Sequence, residues 1–247
     1  DVECVITDSG ATPTQEVCNN VDDDCDGDVD ESKAVDAAGS NNGNYVVDDM
    51  IQVGSIWVYT YEASRPDATS GSEGTANHRS CSNADAIPWA RVSYLEAEAA
   101  CAAAGYRLCT KTEWQGACEG SDGTPRTYPY IDGSTYTDYA PLVCNGNDFD
   151  YDCTGLDDDD VIATGGVYSD CATGPSDCVS YDGLFDLSGN LMEWTATLAQ
   201  GETTVYHVRG GSFLTHEWGL TCQADFITLD QEFRYDDLGF RCCSDTD

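Results

Sequence analysis

Apolar positions along this chain come in short bursts, not in long periodic runs. Residues 51–61, IQVGSIWVYTY, are dominated by β-branched and aromatic side chains and predict a strand. Residues 65–85 read as loop. Two segments with helical punctuation follow. Ser93 with Glu96 makes a capping box ahead of residues 94–104, and Gly105 stops that helix. Thr110 with Glu113 makes a second box ahead of residues 113–119, stopped by Gly120. From there to about Asp182 the chain is rich in Gly, Asp, Tyr and Ser. Short strands return at residues 191–195, 204–209 and 239–242. That is little regular structure for 247 residues, so disulfides, bound ions and burial of 5 Trp and 14 Tyr must hold the domain.

Composition agrees that a core exists, since 40% of residues are hydrophobic. Charge narrows the partners. The formal net charge is -36, from 46 acidic against 10 basic residues. Such a surface repels nucleic acid and anionic lipid, and it welcomes divalent cations. A saline habitat, where screening tolerates excess acid, explains it equally well. The 14 cysteines are scattered and not grouped as CxxC pairs. They read as a disulfide framework in an oxidising compartment, so secretion or surface display is expected. The chain opens at Asp1 without an apolar leader, and a leader is expected to have been removed. No apolar run approaches the length of a membrane span, so no membrane insertion is expected. There is no Asn-x-Ser/Thr acceptor for a glycan.

The densest chemistry lies at residues 22–31, DDDCDGDVDE, where seven of ten side chains are carboxylates. Asp22, Asp24 and Asp26 stand at the i, i+2, i+4 spacing of a calcium loop, and Gly27 supplies the sharp turn. The main-chain carbonyl of Asp28 and the side chain of Asp30 follow as candidate ligands. Lys33 stands where an EF-hand has its bidentate Glu. The expectation is a short, disulfide-pinned calcium turn, with a merely solvated acidic run as the alternative. The chain then divides into a Cys/Asp-rich calcium-binding module at 1–32, a linker at 33–44, a globular domain at 45–243 and a tail at 244–247. The module contains Cys4, Cys18 and Cys25 and is too small to fold without metal or disulfides.

Four ordered segments carry a resemblance. They are residues 105–114 (GYRLCTKTEW), 185–195 (FDLSGNLMEWT), 208–213 (VRGGSF) and 238–242 (LGFRC). Together they resemble the formylglycine-generating enzyme, or sulfatase-modifying factor, family. The resemblance implies an irregular α+β fold of the C-type-lectin-like kind: disulfide-rich, low in regular structure, with two short helices. The N-terminal module separately resembles a short Cys/Asp metal-binding motif of secreted bacterial multidomain proteins. The family resemblance also implies two calcium sites. One takes the carboxylates of Asp186 and Glu193 with the carbonyls of Gly189 and Leu191. The other takes Asn145 and the carbonyl of Gly146, with an acid from among Asp148, Asp150, Asp152 and residues 157–160. Hard cations want such oxygen ligands. With the N-terminal loop this makes two or three calcium ions. Two bridges are implied as well, Cys101–Cys242 and Cys118–Cys222. Adjacent Cys242 and Cys243 are expected to take different partners, because a vicinal bridge is strained.

The family's oxidase chemistry uses two cysteines that bind copper(I) shortly after the Gly-Gly-Ser motif. Here those positions hold Thr215 and Leu220, and of the neighbourhood only His216 remains. Copper(I) needs thiolates, so no copper is expected. No other catalytic motif occurs, and the spacing of His78, His207 and His216 suggests no metal cluster. What remains is the stretch at residues 212–237, where Phe213, His216, Trp218, Phe226, Phe233 and Tyr235 alternate with polar groups. Aromatic anchors of this kind suit a glycan or protein ligand, or packing inside the domain. His216, Trp218, Phe233 and Tyr235 are the candidate ligand-binding residues. Three functions follow as expectations: a non-catalytic, calcium-stabilised binding module, a structural subunit of a surface fibre or layer that meets neighbouring copies of itself, or an oxidase with altered copper ligands.

Overall fold

The structure is a computed structural model. It describes residues 15–25, 27–32, 45–130, 137–141, 143–149, 160–165, 168–170, 174–176 and 178–245. The expected linker at 33–44, Cys4, and the candidate ligands Asp26, Asp150, Asp152 and 157–159 lie outside the described residues.

The segment expected as one strand is a hairpin: β1, Met50–Val53, and β2, Ile56–Tyr59. Val53 pairs with Ile56, leaving Gly54-Ser55 as a two-residue turn, and Gly54 takes φ 63. A side chain resists that left-handed conformation and glycine does not, so the chain reverses there.

Helix α1, Tyr94–Ala103, begins at the expected box: Ser93 Oγ accepts from Glu96 N–H, and the Glu96 carboxylate accepts from Ser93 N–H at 2.9 Å. Strand β3, Arg107–Leu108, follows. Helix α2, Lys111–Glu119, starts two residues before the expected 113. A cap at Thr110 makes Lys111 the first helical residue, and Glu113 is the third, reaching back to Thr110 N–H at 2.8 Å.

Among the described residues, strands β4, Tyr168–Asp170, and β5, Gly174–Ser176, pair only with each other. The remaining strands are β6, Met192–Leu198, β7, Val205–Arg209, β8, Ile227–Asp230, β9, Leu238–Phe240, and β10, Cys242–Ser244. One sheet has the order β1-β2-β10-β3 and the other β8-β7-β6-β9. All pairings are antiparallel except β9 with β6. The strand expected at 239–242 is therefore two strands in two sheets, divided at Arg241. That side chain is buried and is held by Glu193 and the carbonyls of Tyr59 and Phe185.

The larger core cluster joins α1 to both sheets through Tyr59, Tyr94, Trp194, Leu238 and Phe240. A second, with Val58, Trp114, Leu184 and Leu187, lies beneath α2. Disulfides cross both clusters. Cys101 joins Cys242, Cys109 joins Cys243, Cys118 joins Cys222, and Cys144 joins Cys178. The two adjacent cysteines thus go to different partners. A fifth bridge, Cys18–Cys81, ties the N-terminal segment to the body. Arg79 donates to the carbonyl of Asp30 at 2.9 Å, and Val46 N–H to that of Glu31 at 3.0 Å, on the same seam.

Candidate metal centres and an aromatic surface

The acidic loop is folded around Glu16. Its carboxylate accepts the N–H groups of Asp23 and Asp24 at 2.8 and 2.9 Å and that of Asp30 at 3.1 Å. Burial raises its pKa, and those three N–H groups oppose the shift. Carboxylate oxygens of Glu16, Asp24 and Glu31 all lie within 4.8 Å of one another. A single hard ion at about 2.4 Å from each oxygen spans that separation, so this cluster could hold a metal.

The cluster differs from the expected ligand set. Only Asp24 belongs to both. The buried Asp22 accepts Gly27 N–H at 3.1 Å and closes the turn. Asp28 is exposed. Asp30 accepts Asn19 N–H at 2.8 Å and Asn20 N–H at 2.9 Å, and its Oδ2 lies 2.9 Å from His78 Nε2. Its oxygens thus hold the Asn19–Asn20 turn and the seam. Glu31 was already visible as part of the acidic run. Glu16 was missed, because it precedes the run and no spacing rule reaches it.

Several of the family-implied ligands lie along a buried polar spine. Asn190 N–H donates to the Asn145 carbonyl at 2.7 Å, and Asn145 Nδ2 donates to Asn190 Oδ1 at 3.0 Å. Gly189, at φ 81, sits against that same carbonyl: a Cβ there would lie 2.2 Å from Asn145 O. Asn145 is 1% exposed, and among the described residues its buried Oδ1 has no hydrogen-bond partner. A buried amide oxygen left this way is costly unless something electropositive faces it. The donor chemistry at Asn145 therefore fits a hard cation. Gly146 lies against Leu220, 2.5 Å from a would-be Cβ.

The spine continues to three buried carboxylates. Asn190 Nδ2 donates to Glu62, whose other oxygen accepts Leu191 N–H at 2.9 Å. Asp186, in the left-handed region at φ 57, accepts Gly165 N–H at 3.2 Å. Burial pushes Asp186 up to about 7, the Gly165 N–H and Arg241 oppose, and Glu193 adds to the rise. Glu62 is also raised well above the usual carboxylate range, by burial first and then by Asp186 and Glu193. Glu193 is engaged by Arg241 at 3.0 Å and accepts Trp114 Nε1–H at 2.8 Å. Among the described residues, Asp186 and Glu193 do not gather with a third acid, His or Cys as Glu16, Asp24 and Glu31 do. Glu62 and Arg241 were not singled out by the sequence; both are single buried charges whose partners lie far along the chain.

At the positions where the resemblance expects copper cysteines, Thr215 Oγ1 accepts Ser212 N–H at 2.9 Å, and Leu220 is packed with Tyr128 and Tyr130. The nearby Cys222 is buried in its bridge to Cys118. No thiolate is offered, and these residues do not fit copper(I).

The stretch at 212–237 splits by burial. Phe213 is inside, against Ala90 and Leu191. Trp218 is 67% and Phe226 53% exposed, with ring centroids 4.9 Å apart. Phe233 and Tyr235, also exposed, stack at 5.5 Å with an interplanar angle of 14°. His216 is exposed and its carbonyl accepts Gly219 N–H, starting a short 3-10 turn over Glu217–Leu220 that presents Trp218 outward.

A family model described as the sulfatase-modifying factor enzyme 1-like domain matches residues 30–246. No curated protein matches the chain. Among solved structures, PvdO from Pseudomonas aeruginosa is 15% identical with TM-score 0.48, over 76% of this chain and 80% of that one. CarF is 19% identical with TM-score 0.49, over 78% and 87%. The Treponema denticola variable protein 1 is 19% identical with TM-score 0.41, over 57% of this chain, which spans 48% of that protein's length.

Proposed function

We propose, from the premise that the chain belongs to the sulfatase-modifying factor enzyme 1-like domain family, that it is a calcium-stabilised binding module of an extracellular, oxidising compartment and carries out no oxidase chemistry. The observation that carries this reading is that Thr215 and Leu220, at the positions where the resemblance expects the copper thiolates, are respectively bonded to Ser212 and buried in the core. The same fold then serves as a rigid support for the exposed aromatic stretch.

Two features support calcium. One is the convergence of Glu16, Asp24 and Glu31, and the other is the orphaned Oδ1 of Asn145. Bound there, calcium would supply positive charge to oxygens that otherwise repel one another or go without a partner. In this reading residues 1–32 form the calcium module, 33–44 its linker, 45–243 the domain and 244–247 a tail, with the Cys18–Cys81 bridge fixing module to domain. Five disulfides among the described residues support the oxidising compartment.

Thermal unfolding with and without chelator tests the reading. Calcium at about 100 times its Kd stabilises by about 2.7 kcal/mol per site. For a domain of this size that corresponds to a rise in Tm of about 5–10 °C. EDTA is expected to lower Tm by at least that much and calcium to restore it, while the protein consumes no oxygen with a Cys-containing peptide and copper(I). A Tm indifferent to EDTA, or oxygen uptake, would overturn it.

A further inference from the structure

The chain has only 10 Lys and Arg. Lys33 lies outside the described residues. Each of the other nine sits within 3.6 Å of a carboxylate of its own chain. Arg91 with Asp236 and Arg234 with Glu96 are examples from the exposed aromatic stretch itself. No described Lys or Arg is left over to meet an anionic partner, whereas the net charge of -36 leaves many carboxylates unmatched.

Against that background the two aromatic pairs are alike. Trp218 and Phe226 form one, Phe233 and Tyr235 the other, and all four side chains are exposed. Next in sequence to each pair is an exposed carboxylate: Glu217 precedes Trp218, and Glu232 precedes Phe233. Neither acid is in an ion pair among the described residues. Ring faces carry partial negative charge and attract cations, and a carboxylate at the rim adds Coulomb attraction. An aromatic pair edged by an acid is a receptor for a guanidinium or ammonium group.

We infer that the exposed pairs Trp218–Phe226 and Phe233–Tyr235 dock a basic protein segment, whose Arg or Lys side chains lie over the rings and against Glu217 and Glu232. The inference rests on taking residues 212–237 as a recognition surface, and it names the chemistry of the partner. The acidic field of the whole molecule steers such a segment in and turns acidic glycans away.

The test uses the calcium-loaded protein and a short peptide alternating Arg and Gly, measured by calorimetry at about 0.15 M salt. A peptide with citrulline in place of Arg, equal in shape but neutral, is the control. The Arg peptide is expected to bind and the citrulline peptide not to. Trp218→Ala with Phe233→Ala should weaken binding about tenfold, as for two exposed cation–π contacts. Glu217→Gln with Glu232→Gln should weaken it too, with Tm unchanged in both. Absence of binding by the wild-type protein, or equal binding by the ring-deleted variant, overturns the inference. A neutral oligosaccharide that binds and is lost in Trp218→Ala, while the Arg peptide does not bind, also overturns it but leaves the binding-module reading standing. If neither probe responds to the ring deletions, both fall.

Discussion

At the scale of single residues, the molecule is governed by a few buried charges. Arg241 is the hinge of the C-terminal strands and also the counter-ion of the interior. Its guanidinium pairs with Glu193 and donates to the carbonyls of Tyr59 and Phe185 at 2.9 and 2.7 Å. One Arg faces three buried acids, and the electrostatic consequence is measurable. Asp186 is held up to about 7 by burial, and burial also holds Glu62 well above its ordinary value. An unfolded Asp releases its proton near pH 3.9, by about three units sooner. Between those values the folded state retains a proton that the unfolded chain has lost. The contribution is therefore fully present below about pH 4 and is lost as pH rises through about 7. The chelated protein should show a Tm that falls from pH 5 to pH 8, and Asp186→Asn should flatten that slope. An equal slope in the variant would place its origin elsewhere. The acids of this spine were legible as acids, but their partners were not. Glu193 meets an Arg 48 positions away, and Glu62 meets Leu191 across 129. No local pattern encodes such pairings.

At the scale of elements, legibility followed local chemistry. Both helix starts are written in a Ser/Thr-x-x-Glu box, whose bonds form among neighbours and need no tertiary help. Each cap should stabilise by about 1 kcal/mol, so Ser93→Ala and Thr110→Ala are each expected to lose that amount in denaturant unfolding. A loss near zero would mean that packing alone fixes the helix start. Helix α1 buries Tyr94, Ala97, Ala100 and Cys101, a face of mostly small side chains that allows close approach to the sheets. Strands were harder. At residues 50–59 the turn was hidden in an apolar run, and only the Gly54-Ser55 pair betrayed it. Strand β8 was missed, because Ile227–Asp230 is half exposed at an edge and alternates weakly. The split at Arg241 was invisible because it depends on which sheet each half joins.

For the whole molecule, the cysteine count announced a stapled framework, and the bridges show what is stapled. The N-terminal acidic segment belongs mechanically to the body through Cys18–Cys81, a span of 63 residues. A loop of that length is worth about 4 kcal/mol of restricted unfolded-chain entropy. Replacing both cysteines by Ser should speed hydrogen exchange of residues 15–32 and weaken metal binding there, with α1 and α2 unaffected. Protection equal to that of the parent would show that Arg79, His78 and the carbonyl contacts hold the seam alone. Among the described residues no helix is long and apolar enough to cross a membrane.

Cys242 and Cys243 receive their partners from 141 and 134 residues earlier. A ribosome delivers those two sulfurs almost at the end of the domain. Throughout synthesis, Cys101 and Cys109 must wait as thiols among other cysteines that arrive sooner, so premature pairings are the default error. Oxidative refolding of the reduced chain is therefore expected to speed up when a disulfide-shuffling catalyst is added, since thiol exchange is what turns early wrong pairs into the final set.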